Sequence, residues 1–104
     1  MTHAAWKVVV ITEKAILDRV AEVVEACGAR GWTVVAAGGK GDRGRRSGES
    51  PGVADAFVNV KLEAIVLDKA TAERIATEVA AAFFGDYAGL TYLEPVEILR
   101  PERF

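Results

Sequence analysis

Two periods alternate in the spacing of apolar positions along the chain, and each change of period predicts a new element. Trp6–Thr12, "WKVVVIT", is a short β-branched run with apolar residues at both parities, so it predicts a strand covered on both faces. Thr12 then stands where a helix cap is expected. Ile16, Leu17, Val20, Val23, Val24 and Cys27 recur at helical spacing, with Asp18, Arg19, Glu22 and Glu25 elsewhere on the wheel. Gly28 and Gly31 end that helix. Trp32–Gly38 predicts a second strand. From Phe57 to Leu67 the period is two, with Val58, Val60, Leu62, Ala64 and Val66 on one face and Asn59, Lys61 and Glu63 on the other. Asp68 is an N-cap for a second helix striped by Ile75, Val79 and Phe83. "GDYAGL" is a turn, and Leu90–Arg100 a last strand that Pro95 marks as an edge or a bulge.

Strand, helix, strand, strand, helix, strand is the ferredoxin-like βαββαβ order, an α+β fold with a four-stranded antiparallel sheet and both helices on one face. Two helices cover one face only, while the first strand is apolar on both. A further subunit is the expected cover, so the pattern predicts a small obligate oligomer. Residues 1–104 read as a single domain, without internal repeats or a linker.

One stretch follows neither period. "GGKGDRGRRSGESPG", residues 38–52, holds six glycines, three arginines and a lysine. Structureless loops of this length are uncommon in compact domains and are usually functional. Glycine opens positive φ and lets backbone N–H groups approach an anion, while guanidinium groups grip phosphate oxygens in pairs. Lys40, Arg43, Arg45 and Arg46 therefore point to a loop closing over a phosphate-bearing ligand. The stretch matches neither the GxxxxGK[ST] phosphate loop nor a dinucleotide fingerprint followed by a helix. It also lacks the repeats and aromatic partners of RNA-binding arginine-glycine segments.

The totals narrow the remaining choices. At 51% hydrophobic and 27% charged residues, the composition is that of a folded globular chain. A formal net charge of -2 speaks against a nucleic-acid or membrane-surface binder. No apolar run reaches the length of a membrane span and "MTHAAWK" is unlike a signal peptide, so a cytoplasmic protein without direct membrane insertion is expected. Cys27 is the one cysteine and His3, near a frayed terminus, the one histidine. That scarcity speaks against disulfide frameworks, thiol catalysis and zinc, and Cys27 reads as a buried structural residue. Glu13, Glu49 and Asp55 could offer carboxylates to a metal, but they form no spaced motif, and no metal is expected.

Taken together, "ITEK", "GWTVV", "GGKGDRGRRSGE" and "FFGDYAGLTYLEPVEIL" resemble the PII superfamily of signalling proteins. The nearest branch is the PII-like proteins associated with carboxysomes or linked to bicarbonate transporters, and the resemblance covers the chain after Ala5. It implies a homotrimer with adenine-nucleotide sites in the clefts between subunits. It also implies a T-loop at about 39–55 that orders with ligand and docks on a target, and a B-loop at about 86–90. Carried over residue by residue, the nucleotide contacts are Thr33 for adenine, Lys40, Gly41, Arg43, Arg46 and Ser47 near the phosphates, Gly89 and Leu90 through backbone, and Arg100 from the C-terminal region. Gly44, Arg45 and Glu49 are the candidate T-loop contacts for bicarbonate or a protein partner.

The departures carry information too. Leu90 stands where nitrogen-regulatory PII proteins have a phosphate-holding lysine, which favours AMP or ADP over Mg-ATP, with ATP or cyclic AMP still admissible. The T-loop holds no tyrosine for uridylylation. The C-terminal cysteine pair of some relatives has no counterpart. The expected function is a non-enzymatic sensor of adenine nucleotide and bicarbonate, regulating inorganic-carbon uptake or carbon metabolism through a partner such as a membrane bicarbonate transporter. Two alternatives stay open: a slow nucleotide phosphohydrolase, and a protein-interaction module that needs no nucleotide.

Overall fold

The computed structural model of the chain describes residues 1–39 and 58–104. In chain order the elements are β1 (His3–Glu13), α1 (Leu17–Ala26), β2 (Thr33–Ala37), β3 (Asn59–Val66), α2 (Lys69–Phe83) and β4 (Gly89–Ile98). Short 3₁₀ turns at Lys14–Ile16 and Pro101–Arg103 precede α1 and follow β4. The strands form one sheet in the order β2-β3-β1-β4, and every neighbouring pair is antiparallel. This is the expected ferredoxin-like arrangement.

Both helices lie on the same face of the sheet. The alternation of β3 delivers Val60, Leu62, Ala64 and Val66 to that side, all buried. Val8 and Val10 of β1 join Leu62, Ala64 and Val66 in one core with Ile16, Val20 and Val24 from the first helical segment and Ala72, Ile75, Val79 and Phe83 from α2. Cys27 belongs to this core, where burial pushes its thiol above the usual range. That agrees with a structural role for the residue.

Local signals set the helix ends. The Asp68 carboxylate accepts the Thr71 N–H at 3.0 Å and the Thr71 hydroxyl at 2.8 Å, capping α2 as expected. Gly28, at φ 118, takes the left-handed conformation that closes α1. Thr12 does not cap α1. It is the buried last-but-one residue of β1, and its hydroxyl donates to the Ala88 carbonyl at 2.7 Å. The strand continues past Thr12 because Thr12 pairs with Val60 and Gly89, and Glu13 with Asn59. His3 is likewise inside β1, opposite Ile98, because β4 is long enough to pair with it. Pro95 lies opposite Trp6 without ending β4, which an edge strand permits.

The opposite face of the sheet has no cover among the described residues. The register places Thr33, Val35, Lys61, Glu63, Ile65, Lys7, Val9, Ile11, Leu90, Tyr92 and Glu94 on that side. Val9 is fully buried by its neighbours, whereas Val35, Leu90 and Tyr92 are 54%, 46% and 39% exposed. Across the middle runs an ion-pair chain: Lys7 Nζ lies 3.1 Å from Glu94 and 3.8 Å from Glu63, and Lys61 Nζ lies 3.5 Å from Glu63. Chiefly through its hydrogen bond to Glu94, this setting raises the Lys7 pKa. Among the described residues no helix is long and apolar enough to cross a membrane.

Candidate functional site

Strand register decides which candidate residues share an end of the sheet. Asn59, at the start of β3, pairs with Ala37 on one side and Glu13 on the other, and Thr12 pairs with Gly89. Gly39 and Val58, the last and first described residues around the glycine-rich stretch, therefore emerge at the same end of the sheet as the Phe84–Gly89 turn. Lys40, Gly41, Arg43, Gly44, Arg45, Arg46, Ser47 and Glu49 lie between those roots, outside the described residues.

That turn is held by the chain around it. The N–H groups of Asp86 and Tyr87 both donate to the Phe83 carbonyl, at 3.1 and 2.8 Å. The Ala88 N–H donates to the Glu13 carboxylate at 2.7 Å, and the Ala88 carbonyl accepts from Thr12. Gly89 packs closely beneath the Phe84 ring, which would have to shift to admit a Cβ there. A Cβ there would come 2.6 Å from Cζ of Phe84 and 3.0 Å from the Ile11 carbonyl oxygen, with the Phe84 Cε1 nearer still. The glycine lets the start of β4 pass under the Phe84 ring.

The other candidates lie elsewhere. Thr33 opens β2 on the uncovered face, exposed and opposite Glu63, which in turn faces Val9 and so lies level with Tyr92. Three strand spacings, roughly 14 Å, separate that edge from β4. Arg100 follows β4 at the far end, where its carbonyl accepts the Arg103 N–H at 3.0 Å. Ten residues of extended chain put it roughly 30 Å from Leu90. Arg30 fastens the same terminal turn by donating to the Glu102 carbonyl at 2.9 Å. One chain therefore places Gly89, Leu90 and the roots of the glycine-rich stretch at one end of the sheet, spread across its width. Thr33 lies farther along β2 and Arg100 at the other end of the sheet.

Neither contact of Thr12 and Glu13 was legible in the sequence. Both residues are about 75 positions from the turn they hold, and nothing but the β1–β4 register makes them neighbours. Among the described residues no cluster of three or more His, Cys, Asp or Glu could hold a metal ion.

The family model described as "Nitrogen regulatory protein P-II" matches residues 5–103. This chain belongs to the P-II family. Among solved structures, a PII-like signalling protein of Thermus thermophilus is similar over 99% of this chain and 97% of its own, at 28% identity and a TM-score of 0.79. CPII of Thiomonas intermedia, bound to ADP and bicarbonate, is similar over 100% of this chain and 97% of its own, at 21% identity and a TM-score of 0.80. The same protein bound to ADP, AMP and acetate matches at 20% identity and a TM-score of 0.78, with 100% and 97% of the two chains covered. Proteins of the P-II family are signalling proteins and generally not enzymes. In this member, as the geometry above shows, the turn before β4 and both roots of the glycine-rich stretch share one end of the sheet.

Proposed function

We propose that this P-II family member is a non-enzymatic regulator that binds adenine nucleotide, AMP or ADP in preference, in clefts between the subunits of a homotrimer. Bicarbonate binds with it, and the T-loop at about 39–55 carries the signal to a target in inorganic-carbon uptake, such as a membrane bicarbonate transporter. P-II family proteins are typically homotrimers that act on target proteins. CPII, of the same fold, has been seen with ADP together with bicarbonate.

One observation carries the reading: Leu90, Thr33 and Arg100 are spread over both ends and opposite edges of a single sheet. Residues so separated serve one ligand if a neighbouring copy supplies those the first copy holds out of reach. The uncovered sheet face, with Val35, Leu90 and Tyr92 exposed on it, is the surface such a copy would occupy. Within the cleft, Arg43 and Arg46 take the phosphate oxygens in forked pairs and the Gly89–Leu90 backbone borders the ligand. With leucine at position 90, a longer phosphate chain gains no cation from the turn, in keeping with AMP or ADP.

Titration calorimetry with ADP, with and without bicarbonate, tests this directly. The expected result is binding to the trimer, tightened by bicarbonate, with ADP strengthening bicarbonate binding by the same factor. A monomer in solution, or a chain indifferent to AMP, ADP, ATP and cyclic AMP alike, would refute the reading. Equal ADP affinity with and without bicarbonate removes the bicarbonate part alone.

A further inference from the structure

We infer that Thr12 and Glu13 are positioning residues for nucleotide binding: they clamp the peptide groups on both sides of Ala88 and thereby set the backbone that leads into Gly89 and Leu90. The inference rests on the reading of that turn as a ligand contact. It identifies the side chains that hold the turn ready.

The clamp works on consecutive peptide units. The Ala88 N–H belongs to the peptide before the residue and donates to Glu13 Oε2 at 2.7 Å. The Ala88 carbonyl belongs to the peptide after it and accepts from Thr12 Oγ1 at 2.7 Å. Adjacent residues at the end of β1 thus fix the orientation of both peptide planes that flank Ala88. Thr12, at 3% exposure, is the one buried polar side chain among the described residues, and its hydroxyl is committed to this bond.

The rest of the turn strengthens the case. Asp86 and Tyr87 spend their N–H groups on Phe83, and Phe84 closes over Gly89. A short turn with glycine at both ends would otherwise visit many backbone states. When the competent state is a fraction of the population, apparent affinity falls by that fraction. Pinning Ala88 from both sides removes this loss before a ligand arrives. Because both clamping residues end the strand opposite Gly89, the same register that builds the sheet also sets the turn.

The full-length protein is to be titrated with ADP at a temperature well below its unfolding midpoint, as wild type and as Thr12→Val, Thr12→Ser, Glu13→Ala and Glu13→Gln. Thr12→Val and Glu13→Ala should weaken ADP binding by about five- to tenfold, the factor for losing one such bond from a preformed site. Thr12→Ser and Glu13→Gln keep a donor and an acceptor and should stay within about twofold of wild type, a rescue expected of these hydrogen bonds. Hydrogen exchange without nucleotide should quicken at residues 86–89 in the two disrupted variants. Folded Thr12→Val and Glu13→Ala that bind ADP as wild type does, even with a lowered melting point, would overturn the inference and leave the site reading intact. A wild-type chain that binds no adenylate overturns both. If Thr12→Val fails to fold, Glu13→Ala, altered at a partly exposed position, decides alone.

Discussion

The two faces of this sheet are made by the same strands, yet they solve different problems. Beneath the helices, Val8, Val10, Leu62 and Ala64 meet Ile16, Val20, Ile75 and Val79 with nothing polar between them. On the other side, Val9 and the half-buried Ile11 and Ile65 alternate with Lys7, Lys61, Glu63 and Glu94. The first face supplies the free energy of folding within one chain. The second is apolar enough to reward a cover and charged enough to stay in water without one. Burying a face of this kind favours a partner that answers the Lys7–Glu63–Glu94 ion pairs as well as the apolar residues, because unanswered charges oppose burial. Folding uses one side of the layer, and the proposed assembly would use the other.

That contrast can be broken most sharply from the covered side. Ile75 is fully buried, and Ile75→Ala removes three carbons from the middle of the core. It should cost about 2–5 kcal/mol, read from urea or thermal unfolding. That is a large share of the roughly 5–15 kcal/mol typical of such a domain. A loss well under 1 kcal/mol would mean that the helix-covered face is not the seat of stability.

The open face should answer differently. Tyr92→Asp adds a charge two residues from Glu94 at a position 39% exposed, opposite Val9. Light scattering should show the proposed trimer giving way to smaller species, while circular dichroism keeps its native shape. A trimer unchanged by the substitution would place the subunit interface elsewhere.

The smallest effect concerns one helix end of the covered side. The Thr71 hydroxyl and N–H hold the Asp68 carboxyl below its ordinary value of 3.8. A carboxyl depressed in the folded state stabilises above its unfolded pKa, and that contribution disappears as the pH falls through the folded value. Stability should therefore drop below about pH 4, and less so in Asp68→Ala. If Asp68→Ala retains the full acid dependence of wild type, other carboxylates govern that limb.

Much of the architecture is local and was therefore readable in the chain. The alternation of β3, the helical stripe of Ile75, Val79 and Phe83, the Asp68 cap and the Gly28 terminator all work over a few residues. Thr12 shows where this breaks down. Its position before a helical pattern made it look like a cap, but a carbonyl 76 residues away takes its hydroxyl instead. Gly89 was recognised as a turn residue, whereas its close packing under the Phe84 ring is visible only in the fold. The candidate phosphate ligands 40–49 were legible through composition alone, since glycine and arginine carry their chemistry without a register. They lie outside the described residues.

Periodicity and capping act between near neighbours, and so the order of strands and helices, and the face each one buries, follow from the amino acids read in line. Pairing acts between segments far apart in the chain. Only the folded molecule decides that Glu13 meets Ala88, that the glycine-rich stretch starts at the same end of the sheet as that turn, and that Arg100 is held at the other end. Register has no signature in a local pattern, because it is the sum of many distant contacts. It is register that sets where a ligand would find its backbone.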